Sequence, residues 1–334
     1  VKERPWFPAG EVHLGSSSPT ELLRVEVKGG GAGWRWRMDG ALPGLTVSES
    51  PGGVVVTGRS LARVSPPELA PGEAWSGAVL RYGWGSAAEA SSEGWNGVGV
   101  WYDRLVANVP RNAAPVRDKA RELTAGLQTR REKLEALLAF ARRQVRYVAV
   151  EVGIGGYRPH TPQEVLERRW GDCKDKAFLL VDLLREAGIE AWPALIRLDQ
   201  DGRVDREFPS PQFNHVITAV RAEGLGLTDR DPVADGYLFV DPTQEVGALS
   251  WLSPGTQDQD ALIVRDGKGE LVRTPTLPAA ETRQASVTVR LTSAGEMTGE
   301  ARLEVTGSVG EAYLNLHRTG RPEEIERAVL RTFG

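Results

Sequence analysis

The run Ala177-Phe178-Leu179-Leu180-Val181-Asp182-Leu183-Leu184 is apolar nearly all round the helix that its pattern predicts. A helix of that kind does not lie on a surface; other elements must wrap it. Gly188 follows as the expected C-cap. Gly171-Asp172-Cys173-Lys174-Asp175 precedes it, with Asp172 placed to act as N-cap and Cys173 in the first turn. The chain therefore has to build layers around this one segment.

The rest of the sequence offers material for those layers. Residues 1 to about 110 read as β, because 23–27 and 34–38 alternate apolar and polar residues. Gly29-Gly30-Gly31, Pro51-Gly52-Gly53, Pro66-Pro67 and Pro71-Gly72 punctuate this stretch. Short strands at such spacing predict a β-sandwich-like domain over 1–110. From Pro115 the pattern becomes helical, with a helix expected over 116–126. A second opens at Thr129-Arg130-Arg131-Glu132, a capping box in which hydroxyl and carboxylate satisfy orphan backbone donors. Leu134, Leu137, Leu138, Ala141 and Val145 then share one face. A strand is expected over 145–150, and Thr161-Pro162-Gln163-Glu164 opens a short helix with proline at its first position. Beyond the buried helix, three strands are expected over 194–198, 215–220 and 237–240. A helix packed on such strands makes the core over 111–275 an α+β arrangement. Over 276–334 the β character returns: Val287, Val289 and Leu291 face Ala301, Leu303 and Val305 across Ser293-Ala294-Gly295-Glu296, a hairpin pattern. Residues 322–333 read as the start of a helix that the chain breaks off. With Val1 and not Met at the other end, a piece of a longer protein is expected, and a removed export signal would fit.

Composition excludes several classes of function. The net charge of −4 gives no ground for a nucleic-acid partner, which needs a concentrated basic face. No stretch of 18 uncharged apolar residues exists, so no membrane-spanning helix is expected. One cysteine rules out an internal disulfide, so cysteine usage does not identify the compartment. A periplasmic or extracellular location is favoured over a cytoplasmic one, since proteins of this architecture are often exported and the missing start fits a removed signal.

That cysteine carries the chemistry. A lone Cys is more often a small buried hydrophobe than a nucleophile. Here, though, the unpaired N–H groups and dipole of a helix N-terminus favour an anion on Cys173, and the same N–H groups can hold an oxyanion. Of the four histidines, His13 and His317 lie in the β-rich flanks without a nearby partner in sequence. His160, just before a helix, reads as solvated. His215 opens an expected strand, and Asp241-Pro242-Thr243 ends the next. An Asp before Pro is usually a turn residue. If the two strands pair as neighbours, however, the Asp241 carboxylate reaches the His215 ring, fixes its tautomer and stabilises the imidazolium.

Gly171-Asp172-Cys173 before a helix, Asn214-His215 at a strand start and Asp241-Pro242-Thr243 after the next strand together resemble the bacterial transglutaminase-like superfamily, over roughly residues 95–250. Residues 1–94 resemble more loosely an uncharacterised β domain that precedes such cores. The resemblance implies a papain-like fold, in which the Cys-bearing helix packs on an antiparallel sheet between β-rich flanks. It implies Cys173 as nucleophile, His215 as base and Asp241 as its orienting group, with no cofactor. It also suggests a side-chain oxyanion donor from the preceding helix, for which Gln144 stands in a suitable place. Trp170, Asp172 and Asn214 are expected to line the cleft. Lys174, Asp175 and Lys176 fall on the first turns of the helix, where a charge cluster is more often solvated.

Such a site transfers an acyl group from an amide or peptide carbonyl through a thioester. Water as acceptor makes the protein a cysteine peptidase or amidase acting on a protein or peptide substrate. An amine as acceptor makes it a protein-glutamine transglutaminase. No Asp-x-Asp-x-Asp-Gly calcium loop occurs, which weakens the resemblance to calcium-activated cross-linkers. A binding or scaffold module with a relic triad, in which some of the ten Trp residues line a recognition groove, is the other class of reading. The Cys and His spacings match no zinc site. Nothing in the sequence specifies the oligomeric state.

Overall fold

The computed structural model describes residues 9–29, 34–50, 52–64, 77–84, 92–149, 156–198, 203–245, 247–277 and 282–306, with scattered positions from 310 to 327. The apolar run forms α5 (Cys173–Glu186), and every residue from Cys173 to Leu184 is buried. Gly188 ends the segment at φ +76°, the left-handed conformation for which glycine has no steric penalty. Three helices cover one side of α5: α2 (Ala114–Thr124), α3 (Arg130–Arg143) and α4 (Pro162–Arg168). Leu134, Leu137 and Leu138 meet Leu179, Leu180 and Leu183 there. Both expected capping boxes are formed, Thr129 with Glu132 and Thr161 with Glu164.

The other side of α5 packs on β9 (Ala191–Ile196) and β10 (His215–Arg221). These are the middle of a six-stranded antiparallel sheet, which contains all three expected strands and three more. β11 (Val233–Ala234) and β12 (Tyr237–Val240) extend it beyond β10; β13 (Asp260–Arg265) and β14 (Lys268–Arg273) extend it beyond β9. The strands β13 and β14, absent from the sequence reading, pair from Asp260↔Arg273 to Arg265↔Lys268. Ala261-Leu262-Ile263-Val264 is buried throughout, so it lacks the alternation that marks a half-exposed strand. The strand expected over 145–150 shrinks to β7 (Arg146–Tyr147), which pairs in parallel with β8 (Trp170–Gly171). Position 150 lies outside the described residues.

The reading of 1 to about 110 as β needs one correction. Residues Ser92–Val106 form a 15-residue helix, α1, that packs on β13 and β14. Gly94, Gly97 and Gly99 depress its intrinsic helix propensity, which masks it. Yet Trp95, Val98 and Tyr102 recur at helical spacing and are all buried. Gly99 lies against Gly269 of β14, where an added Cβ would come within 2.2 Å of the Gly269 Cα. This backbone-to-backbone approach seats α1 over the sheet and brings Trp101 and Tyr102 beside α5.

Before α1 come two three-stranded antiparallel sheets. One consists of β1 (Ala9–His13), β6 (Ala78–Trp84) and β3 (Trp34–Gly40); the other of β2 (Thr20–Lys28), β5 (Gly53–Leu61) and β4 (Leu45–Ser50). They share a cluster centred on Val54, Val56 and Leu80. An ionic network ties the first sheet to the segment before His215. Buried Arg81 pairs with Glu11, Asp39 and Asp205, Arg37 also pairs with Asp205, and Arg197 reaches Glu11 at 3.3 Å. At the other end, β15 (Arg283–Leu291) and β16 (Met297–Val305) form the expected hairpin. The helix expected over 322–333 falls largely outside the described residues. The whole is α+β, with the helix that bears the cysteine packed on an antiparallel sheet.

Candidate active site

The head of α5 is built by short-range geometry. Arg169 ends α4 in the left-handed conformation at φ +59°, and the chain turns through β8 into Asp172. The Asp172 carboxylate accepts the Asp175 N–H at 3.3 Å, and the Asp175 carboxylate accepts the Asp172 N–H at 3.2 Å. This is a capping box made of two aspartates. Gly171 is required by it: a Cβ there would stand 2.6 Å from the Asp175 Cβ. Cys173 is thus held at the first helical position, buried at 5% exposure.

The charged cluster behind the cysteine is not solvated. Lys174, Asp175 and Lys176 are all buried, and each has a partner. The Lys174 ammonium hydrogen-bonds the Asp172 carboxylate. Asp175 also accepts the His160 N–H at 2.8 Å and lies 3.1 Å from its Nδ1, so His160 is held at the helix head rather than left free. Lys176 donates to the carbonyl of Val145 at 2.7 Å, satisfying an acceptor left over where α3 ends. Burial pushes the Lys176 ammonium down to about 8, against the attraction of Asp241 and Glu245. Burial also raises the Asp172 carboxyl above its ordinary value, opposed by the Lys174 hydrogen bond and reinforced by the charge of Asp175.

His215 is the first residue of β10, and Asp241 directly follows β12. The two strands are antiparallel neighbours, with Thr218 opposite Val240. The pairing brings His215 Nε2 to 3.0 Å from Asp241 Oδ2. Asp241 also accepts the Thr243 N–H at 2.8 Å, the Thr243 hydroxyl at 2.7 Å and the Gln244 amide at 3.3 Å. Burial by itself would raise its carboxyl; the His215 charge and these donors outweigh that and hold it far below the usual carboxylate range. An ionised carboxylate only accepts, so Nε2 carries the proton and Nδ1 is the nitrogen left to face Cys173, which lines the same cleft. Burial opposes the charged imidazole, but the Asp241 charge and hydrogen bond, with the Cys173 contact, push His215 up to about 10. Cys173, His215 and Asp241 therefore come together in one row from a helix and two strands, with His215 bonded to Asp241 and sharing a cleft with Cys173.

A cleft of about 280 Å³ opens over this row. Its walls include Trp101 and Tyr102 of α1, Tyr157, and Phe213 and Asn214 before β10. Asn214 reaches the cleft while its side-chain oxygen accepts the Leu198 N–H at 2.9 Å. The other expected lining residues stand elsewhere. Asp172 is buried beneath the helix head as the cap. Trp170 lies beside His160, ring centroids 6.3 Å apart, and Gln144 is the exposed C-cap of α3; neither lines the cleft. Sequence reasoning missed Tyr102, Thr243 and Gln244 as members of the site. Thr243 had a signal, because a hydroxyl two residues after an Asp returns to its carboxylate in a local turn. Among the described residues no cluster of three or more His, Cys, Asp or Glu is arranged to hold a metal ion, and no helix is long and apolar enough to cross a membrane.

Comparison with known proteins agrees with this core. Residues 117–232 match the model of the transglutaminase-like superfamily. A solved structure of a candidate protease from Parabacteroides distasonis superimposes with a TM-score of 0.59 at 14% identity, over 87% of this chain. The chain spans 55% of the length of that protein. A candidate cysteine protease from Cytophaga hutchinsonii aligns over 90% of this chain and 86% of its own, at 11% identity and a TM-score of 0.33. No curated protein matches the sequence.

Proposed function

We infer that this chain, whose residues 117–232 are a transglutaminase-like superfamily domain, performs thiol-dependent acyl transfer with Cys173 as nucleophile, His215 as general acid and base, and Asp241 as the group that orients it. The observation that carries the reading is the His215 ring, bonded to the Asp241 carboxylate at 3.0 Å and lining one cleft with Cys173. A ring so placed takes the thiol proton on Nδ1, leaving a thiolate at the positive end of α5.

The thiolate attacks the carbonyl carbon of an amide, and the C=O electrons move onto oxygen. As the tetrahedral intermediate collapses, the imidazolium returns its proton to the leaving amine, the C–N bond breaks and a thioester remains. The ionised Asp241 stabilises the imidazolium throughout. Nδ1 then accepts a proton from water, whose oxygen attacks the thioester; the acid departs and the thiol is restored. Water as acceptor is favoured because a solved structure that superimposes on this chain with a TM-score of 0.59 is of a candidate protease. The reading is therefore a cysteine peptidase or amidase acting on protein or peptide amides.

The test compares wild type and Cys173→Ala on fluorescent casein and on dansylcadaverine with dimethylcasein. Cys173-dependent cleavage without amine incorporation supports hydrolysis. Amine incorporation exceeding cleavage makes the protein a transglutaminase. Neither reaction, with Cys173 alkylated no faster than free cysteine, removes the catalytic reading and leaves a binding module.

A further inference from the structure

We propose that the Tyr102 hydroxyl, supplied by α1 from outside the matched superfamily segment, is an oxyanion donor that acts together with the backbone N–H of Cys173. This rests on the acyl-transfer reading above. Tyr102 is 1% exposed and lines the cleft that contains Cys173 and His215. Its ring is fixed edge-on to Phe178 of α5, with centroids 6.4 Å apart, and tilted against Trp101 at 6.2 Å. Despite this burial, its hydroxyl has no hydrogen-bond partner among the described residues. Leaving such a donor unpaired is unfavourable, so an orphan held rigidly in one cluster with a nucleophile calls for an explanation.

A carbonyl drawn onto Cys173 supplies the missing acceptor. The Cys173 N–H, at the first helical position, also has no carbonyl acceptor among the described residues. As the sulfur adds, negative charge gathers on the substrate oxygen, and two donors already in place, one phenolic and one backbone, stabilise it without reorganising. The phenol stays protonated while it does so: burial first, then the negative charge that Cys173, Asp172 and Asp175 can carry, lifts its ionisation well above the ordinary tyrosine value. The hydroxyl is closed to bulk water, and the residue that carries it borders the cleft at the cysteine. Gln144, the donor suggested by the family resemblance, is exposed at the end of α3 and does not border the cleft.

The experiment uses p-nitrophenyl acetate as acyl donor with wild type, Tyr102→Phe and Cys173→Ala, together with iodoacetamide alkylation and thermal melting. Tyr102→Phe should lower the acylation rate by about 10²-fold through kcat rather than KM. Its alkylation rate should stay within twofold of wild type, since displacement of iodide creates no oxyanion. Its Tm should not fall, because the change deletes an unsatisfied group. If Tyr102→Phe acylates within threefold of wild type while Cys173→Ala is inactive, the donor role is overturned and acyl transfer stands. A lower Tm with acylation and alkylation reduced together would make Tyr102 a packing residue and overturn the proposal equally. Wild type no faster than Cys173→Ala would overturn the acyl-transfer reading and the donor role with it.

Discussion

The head of α5 and the hairpin β15–β16 invert each other. At the head of α5, Lys174, Asp175 and Lys176 are charged and buried. In the hairpin, Val287 is 58% and Leu291 73% exposed although both are apolar. The charges are buried because each found a partner within reach: a cap carboxylate, a histidine, a backbone carbonyl just past the end of α3. The hairpin pairs all of its ladder from Arg283↔Val305 to Leu291↔Met297, but no second layer among the described residues covers its apolar side chains. Backbone pairing alone makes a strand; burial needs a facing surface. Polarity sets what burial requires, and tertiary partners decide whether it happens.

The largest effects are expected where the buried charges surround the thiol. Cys173→Ala and His215→Ala should each lower acyl transfer by about 10³-fold or more. Iodoacetamide should alkylate wild-type Cys173 rapidly and His215→Ala slowly across the neutral pH profile, since only the wild type keeps a base beside the thiol. Equal profiles in the two proteins would remove the distinction between this helix head and a merely buried one.

Next comes the packing around the same helix. Leu180→Ala, in the fully buried middle of α5, should destabilise by about 2–5 kcal/mol in denaturant unfolding. A loss below about 1 kcal/mol would mean that α5 is not the centre of the layers.

Lys176 and His215 should pull the pH dependence of stability in opposite directions. His215, raised from 6.5 to about 10, holds a proton in the fold that the unfolded chain releases. Its contribution is complete below pH 6.5 and is lost as pH rises through about 10. Lys176, lowered from 10.5 to about 8, gives up its proton earlier in the fold, so its contribution improves as pH rises from about 8 to 10.5. The Tm of wild type should therefore fall from pH 6.5 towards 10, with the fall checked above 8. Lys176→Met should steepen that upper limb and also lower stability by about 1–3 kcal/mol at neutral pH, through the carbonyl it leaves unpaired. An unchanged slope above pH 8 would show that Lys176 is solvated after all.

The smallest effect is expected in the hairpin. Leu291→Ser or Val287→Thr should change stability by no more than about 0.5 kcal/mol, since neither side chain loses a packed environment. A larger loss would reveal a covering surface and end the contrast with α5.

Much of the site was legible because its determinants are local. Thr129 with Glu132, Thr161 with Glu164, and Asp172 ahead of Cys173 are signals within four residues, and each formed its cap. His215 and Asp241 open and follow strands that pair as neighbours, and strands close in chain order usually neighbour one another in space. The need for Gly171 is also local, set by Asp175 folding back onto it. The glycine-rich α1 and the β13–β14 pair could not be read the same way, because one depends on Gly99 meeting Gly269 some 170 positions away and the other on being buried from both faces. Tyr102, the partners of Lys176 and the distance of Gln144 from the cleft likewise depend on elements remote in sequence. By itself the sequence determined the capped helices α3 and α4 and which residue types stand at the head of the buried helix, since hydrogen bonds across a few residues suffice for that. Only the tertiary structure decided which charges are paired, which hydroxyl is left orphaned and which apolar faces are covered, because those depend on atoms that chain folding alone brings within a few ångströms.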